Sequence, residues 1–127
     1  MQQHTANNEA VIKSAGHKQL TGADMRALLQ GKTLSGLYRG GFHFITTMDD
    51  DLRMEGRNHV GSHNFGVCEF DDEAHTMTVT WENGWDHTTT RAYHVGDEVR
   101  FFDVHDGSWR QTLTSFQDGR QSLKVFR

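Results

Sequence analysis

Nine histidines stand in a chain of 127 residues, so imidazole chemistry is the first possibility that the sequence raises. His59 and His63 flank Gly61 at a spacing that lets both rings face one side of an extended segment. Two imidazoles can hold part of a metal ion's shell, but a zinc site generally takes at least three protein ligands. A third would have to come from His43, His75, His87, His94 or His105, and the chain has neither an H-E-x-x-H motif nor a second cysteine. The expectation is no metal and no cofactor, with His59 and His63 as weak metal candidates set against solvated loop histidines. The Asp49-Asp50-Asp51 run lacks the spaced ligands and the glutamate of a calcium loop, and reads as a solvated turn.

A second constellation lies between Asp86 and Val95. Alternation along a strand puts His87, Thr89, Arg91, Tyr93 and Val95 on one face, and Thr88, Thr90, Ala92 and His94 on the other. Taking Tyr93 and Val95 as core-facing turns Arg91 and His87 inward as well. Arginine, histidine and tyrosine in one row could grip a carboxylate or move a proton. The alternative is that Arg91 lies outside, paired with an acid on a neighbouring strand. Trp85 follows a turn immediately and could line a pocket mouth or pack against the turn itself. Trp85, His87, Arg91 and Tyr93 are thus the expected ligand-binding residues.

On the next strand Val99, Phe101, Asp103 and His105 share one face, while Arg100, Phe102 and Val104 share the other. Asp103 and His105 could form a carboxylate–imidazole pair of the kind that orients a catalytic base. No serine or cysteine has the surroundings of a nucleophile, so a surface pair beside a glycine turn is the competing reading. His87, Tyr93, Asp103 and His105 are the catalytic candidates if the protein is an enzyme. Cys68 has no cationic neighbour in the local sequence and reads as an unreactive, half-buried thiol.

The elements that must position these residues follow from punctuation and periodicity. Thr21 is an N-cap with Asp24 three residues on, Leu20 and Met25 can staple the start, and Gly31 can end the helix, which predicts a helix over 21–30. From Thr33 onward the period is two. Strands are predicted over 33–39, 42–48, 52–58, 62–70, 76–82, 88–95, 99–104, 109–116 and 121–126. Turn signals recur at roughly ten-residue spacing, with Asn83-Gly84 the strongest. Eight or nine short strands joined in order predict a mainly β fold, an antiparallel up-and-down barrel behind a short helix, because closure removes exposed sheet edges. Residues 1–19 read as a polar arm with weak helical signals near Glu9, and 20–127 as one domain.

Thirteen basic against seventeen acidic residues give a net charge of −4, which argues against nucleic acid as a partner. No run approaches the roughly 18 apolar residues of a membrane span. A single cysteine and the absence of a leader pattern fit the cytoplasm, with export open if a signal peptide has been removed.

The helix LTGADMRALLQGKT, a glycine-punctuated strand, GVCEF, a charged turn, TMTVTW, RAYHV and VRFFDVHDGSW follow one another between Leu20 and Phe116. In order and pattern this resembles the small lipocalin-like (calycin) barrels found as uncharacterised bacterial proteins. Gly36-Leu37-Tyr38 stands where a lipocalin carries its G-x-W signature, with tyrosine in place of tryptophan. The resemblance implies a barrel with a cup. Three functions compete: a module binding an apolar or amphipathic small molecule, a cofactor-free isomerase, cyclase or lyase, and an accessory subunit docking a protein partner through its arm. The first is the expectation.

Overall fold

A computed structural model describes residues 8–85 and 87–123. Eight strands follow one another as β1 (Lys32–Tyr38), β2 (Phe42–Met48), β3 (Arg53–Asn58), β4 (His63–Asp71), β5 (Thr76–Trp81), β6 (His87–Val95), β7 (Glu98–Asp103) and β8 (Trp109–Asp118). Each pairs antiparallel with the next, and β8 returns to β1, so the sheet is a closed up-and-down barrel. Two helices precede it, α1 (Glu9–Ser14) and α2 (Gly22–Leu29). The ninth predicted strand is absent as far as Leu123, and its remainder lies outside the described residues. Among the described residues no helix is long and apolar enough to cross a membrane.

The expected caps are present. Thr21 Oγ1 accepts the Asp24 N–H at 3.0 Å, and the Asp24 carboxylate accepts the Thr21 N–H at 3.0 Å. Gly31, at φ +75°, takes the chain out of α2 in a conformation that other residues rarely adopt. Met25 and Leu29 on the inner side of α2 are buried in the main core with Leu34, Met48, Met54, Met77, Phe101 and Leu113. The helix therefore plugs one end of the barrel. The other end is ringed by the β1–β2, β3–β4, β5–β6 and β7–β8 turns, the third of which carries Asn83 and Gly84 at positive φ, as an Asn-Gly hairpin turn requires.

The chain before the barrel belongs to the fold from Asn8 onward. β5 pairs with only the first part of β6, Met77–Thr80 against His87–Thr90. The strand edge left beyond it is taken up by the connector from α1 to α2. The His94 N–H donates to Lys18 O and the Leu20 N–H donates to Ala92 O, both at 2.9 Å. On the outer wall, Ile12 of α1 packs with Tyr93, Phe102 and Trp109 in a second buried cluster. This explains why Phe101 and Phe102 are both fully buried though they point to opposite faces: one fills the barrel and the other lies beneath α1.

Two glycines admit close approaches. A Cβ at Gly36 would lie 1.9 Å from Thr112 O, where the β1–β8 register shifts. A Cβ at Gly56 would lie 2.8 Å from Cη2 of Trp81, so the indole rests on bare β3 backbone.

Candidate functional site

Even-numbered residues of β1 to β3 and odd-numbered residues of β5 point into the barrel, and they build a cup of about 410 Å³. Its floor is apolar: Leu29 from α2, with Leu34, Met48, Met54, Met77, Val79 and Leu113. Phe44, Thr46 and Trp81 form its middle. Its rim carries Tyr38, Arg39, Phe42, Arg57, Asn58, Ser62, Trp85, Thr88 and Gln111. Among the described residues that line the cup there is no histidine, aspartate or glutamate. A barrel of eight strands has room for packing side chains or for one small ligand; here Gly56 and Gly66 let the Trp81 indole lie against β3 and β4, and the cup beside it stays open.

Trp85 is half-buried on the rim and packs against Trp81, with ring centroids 5.0 Å apart and planes at 59°. The two indoles form one continuous aromatic wall. On the opposite side Tyr38 meets Phe44 edge-on at 6.4 Å, and Arg110 Nη2 donates to the Tyr38 hydroxyl at 3.2 Å. The rim is thus aromatic and hydrogen-bonding, whereas the floor offers only hydrocarbon and thioether surface.

Of the four expected binding residues, the structure places only Trp85 at the cup. His87, Arg91 and Tyr93 lie on the outer wall, which corrects the inward assignment of that face. The alternation itself holds: Thr88 lines the cup and Arg91 does not. Tyr93 is fully buried, but beneath α1 rather than inside the barrel. An apolar residue on a barrel strand identifies the interior only if nothing covers the exterior, and here the chain's own first helix does.

Arg91 and Tyr93 do hold a carboxylate, that of Glu9. Arg91 Nε donates to Glu9 Oε2 at 2.6 Å and Nη2 to Oε1 at 2.9 Å, while the Tyr93 hydroxyl donates to Oε2 at 2.8 Å. The Arg91 hydrogen bonds lower the Glu9 pKa, outweighing the opposite push of burial. Burial, reinforced by the hydrogen bond to Glu9, pushes the Tyr93 phenol up to about 12. The constellation is a clasp for the arm, with its acid coming from α1 rather than from a neighbouring strand.

The remaining candidates do not converge on a reactive centre. Asp103 Oδ1 accepts the backbone N–H of His105 at 2.8 Å and so shapes the β7–β8 turn instead of orienting that residue's ring. Its Oδ2 lies 3.7 Å from Arg110 Nη1, and His105 is exposed. His59 Nδ1 accepts the His43 N–H at 2.9 Å, and His63 Nε2 lies 2.7 Å from Glu55 Oε2. Among the described residues no three His, Cys, Asp or Glu side chains gather around one point. Cys68 is fully buried rather than half-buried, and burial pushes its thiol up to about 12.

Sequence reasoning missed the rim residues Arg39, Arg57, Asn58 and Gln111. The alternation of Phe42, Phe44, Thr46 and Met48 on one face of β2 was the available signal for a wall that is aromatic at one end and thioether at the other. Comparison of the chain with protein-family models, with curated proteins and with solved structures finds no match.

Proposed function

We propose that the protein is a small-molecule-binding barrel that holds an apolar or amphipathic ligand in its cup, as the lipocalin-like resemblance implies. One observation carries the reading: a cavity of about 410 Å³ with a hydrocarbon floor, an aromatic wall and a polar rim, open at one end of a barrel that α2 plugs at the other. Ligand sites of this kind are concave, mainly apolar and equipped with a few polar groups that set orientation. Against acid–base catalysis stands the lack of imidazole or carboxylate among the described lining residues. Docking of a protein partner through the arm has less support, because α1 is already seated on the barrel's own wall. The single buried cysteine fits a reducing compartment, and the cytoplasm is the location we propose.

The test is titration with N-phenyl-1-naphthylamine, a neutral apolar dye that brightens on leaving water. One dye per chain should bind saturably, and Trp85→Ala should weaken binding about tenfold, the equivalent of about 1.4 kcal/mol. Non-saturable partition, or an affinity indifferent to Trp85→Ala, would overturn the proposal.

A further inference from the structure

We infer that the outer face of the β3–β4 hairpin joins a second copy of this chain in a symmetric dimer, with the two-fold axis perpendicular to β4. The face lies outside the barrel, so the proposed binding function and this association stand or fall separately.

Two parts of the outer wall are covered by the chain itself. Ile12 of α1 lies over Tyr93, Phe102 and Trp109 of β6 to β8. Residues 119–121 cross the outer side of β1, where Thr33 Oγ1 donates to Gly119 O at 2.8 Å and accepts the Gln121 N–H at 2.9 Å. The outer row of β4 is exposed instead. Asn64, Gly66 and Cys68 are buried on its inner side, so the odd-numbered residues point outward. Phe65 and Val67 are neighbours in that row, each 48% exposed. One exposed apolar side chain is ordinary on a protein surface. Two adjacent ones in mid-strand, with the His63 ring 5.3 Å from that of Phe65, form a continuous apolar strip.

The charges around the strip identify its partner. Strand pairing sets Arg57 beside His63, Glu55 beside Phe65 and Arg53 beside Val67. Glu55 is held by His63 and Arg120, and Arg53 lies against Asp51. Arg57 at one end of the strip and Glu69 at the other have no ion-pair partner among the described residues. A two-fold axis perpendicular to β4, midway between Phe65 and Val67, reverses the second hairpin against the first. Phe65 then meets the partner's Val67, and Arg53 meets the partner's Glu55. The Arg57–His63 end meets the partner's Glu69, and every contact occurs twice.

The other face-to-face arrangement is disfavoured. An axis parallel to β4 would lay β3 over the partner's β5. Glu82, whose N–H donates to Phe65 O, is level with Phe65 and would then face the partner's Glu55. Like charges would meet, and Arg57 and Glu69 would stay apart. Charge thus selects the reversed pair. The strip is small, and interfaces below about 1,200 Å² are typically transient, so a dissociation constant on the order of 100 μM is expected.

The experiment is sedimentation equilibrium of the full chain from about 10 μM to about 1 mM, a range that brackets this constant. The average mass should rise from that of one chain toward that of two. Phe65→Thr/Val67→Thr, which keeps strand-forming residues, should weaken association at least about tenfold. Arg57→Glu and Glu69→Arg should each weaken it about tenfold alone. An equimolar mixture of these two single variants should associate like the wild type, because both attractions re-form across the mixed pair. A wild type that stays monomeric throughout overturns the inference, whatever else the strip binds. Association that survives Phe65→Thr/Val67→Thr puts the contact elsewhere and overturns it equally. A mixture that associates no better than either single variant overturns the two-fold arrangement. None of these results bears on dye binding in the cup.

Discussion

Replacing Glu9 with glutamine keeps the size of the side chain and removes the charge on which the α1 clasp depends. Three hydrogen bonds of 2.6 to 2.9 Å converge on this carboxylate, two from Arg91 and one from Tyr93. A hydrogen bond to a charged group contributes about 1.5–3 kcal/mol net, and an exposed ion pair at most about 1 kcal/mol. The Glu9 side chain is 12% exposed and that of Arg91 is 32% exposed, so solvent screens the pair from one side only. Discounted for that screening, Glu9→Gln should destabilise the protein by about 1.5 kcal/mol at pH 7, roughly 5 °C in melting temperature for a domain of this size. The pH dependence carries the distinguishing sign. The Glu9 carboxyl is held below its ordinary value of 4.5 chiefly by Arg91, so its contribution is fully present above 4.5 and is lost as pH falls through the lowered folded value. Urea unfolding of wild type and variant across that range should give a constant gap near neutral pH that closes in acid. A gap below about 0.3 kcal/mol at pH 7 would show that the clasp adds little to stability. A gap that survives unchanged at about pH 3 would show that the variant acts through packing rather than charge.

Two further outcomes follow from the barrel interior. Gly56→Ala should weaken dye binding several-fold and alter tryptophan emission, because the new methyl group would lie 2.8 Å from Cη2 of Trp81 and 3.0 Å from Thr46 Oγ1, which drives the indole into the cup; unchanged emission and affinity would refute that seating. Cys68, fully buried with its thiol pushed up to about 12 by burial, should resist a thiol reagent in the native protein and react promptly in denaturant. Fast labelling under native conditions would contradict the burial.

Local signals determined the elements. The Thr21–Asp24 capping box, Gly31, Asn83-Gly84 and the period-two patterns of the first eight strands specify structure through contacts within a few residues, and each stands where the sequence puts it. Eight strands in meander order, joined by short turns, leave few alternatives to pairing in sequence, so the antiparallel barrel was legible as well. Trp85 could be read as a rim candidate because the turn that precedes it is unambiguous.

The inward face of β6 was decided only by the tertiary structure. His87, Arg91 and Tyr93 alternate as expected, but a strand buried on both sides has no hydrophobic asymmetry from which to read its interior. What buries the outer side is Ile12 of α1, about eighty residues away in the chain, and Glu9, which accompanies it, gives Arg91 its partner. Arg39, Arg57 and Gln111 were invisible for a related reason. Each belongs to a different strand or turn, and only closure of β8 onto β1 brings those elements around one opening. Backbone propensities act over a few residues and were written in the sequence. The cup and the clasp depend on which surfaces meet when the barrel closes and the first helix docks, and that is settled by packing across the whole chain.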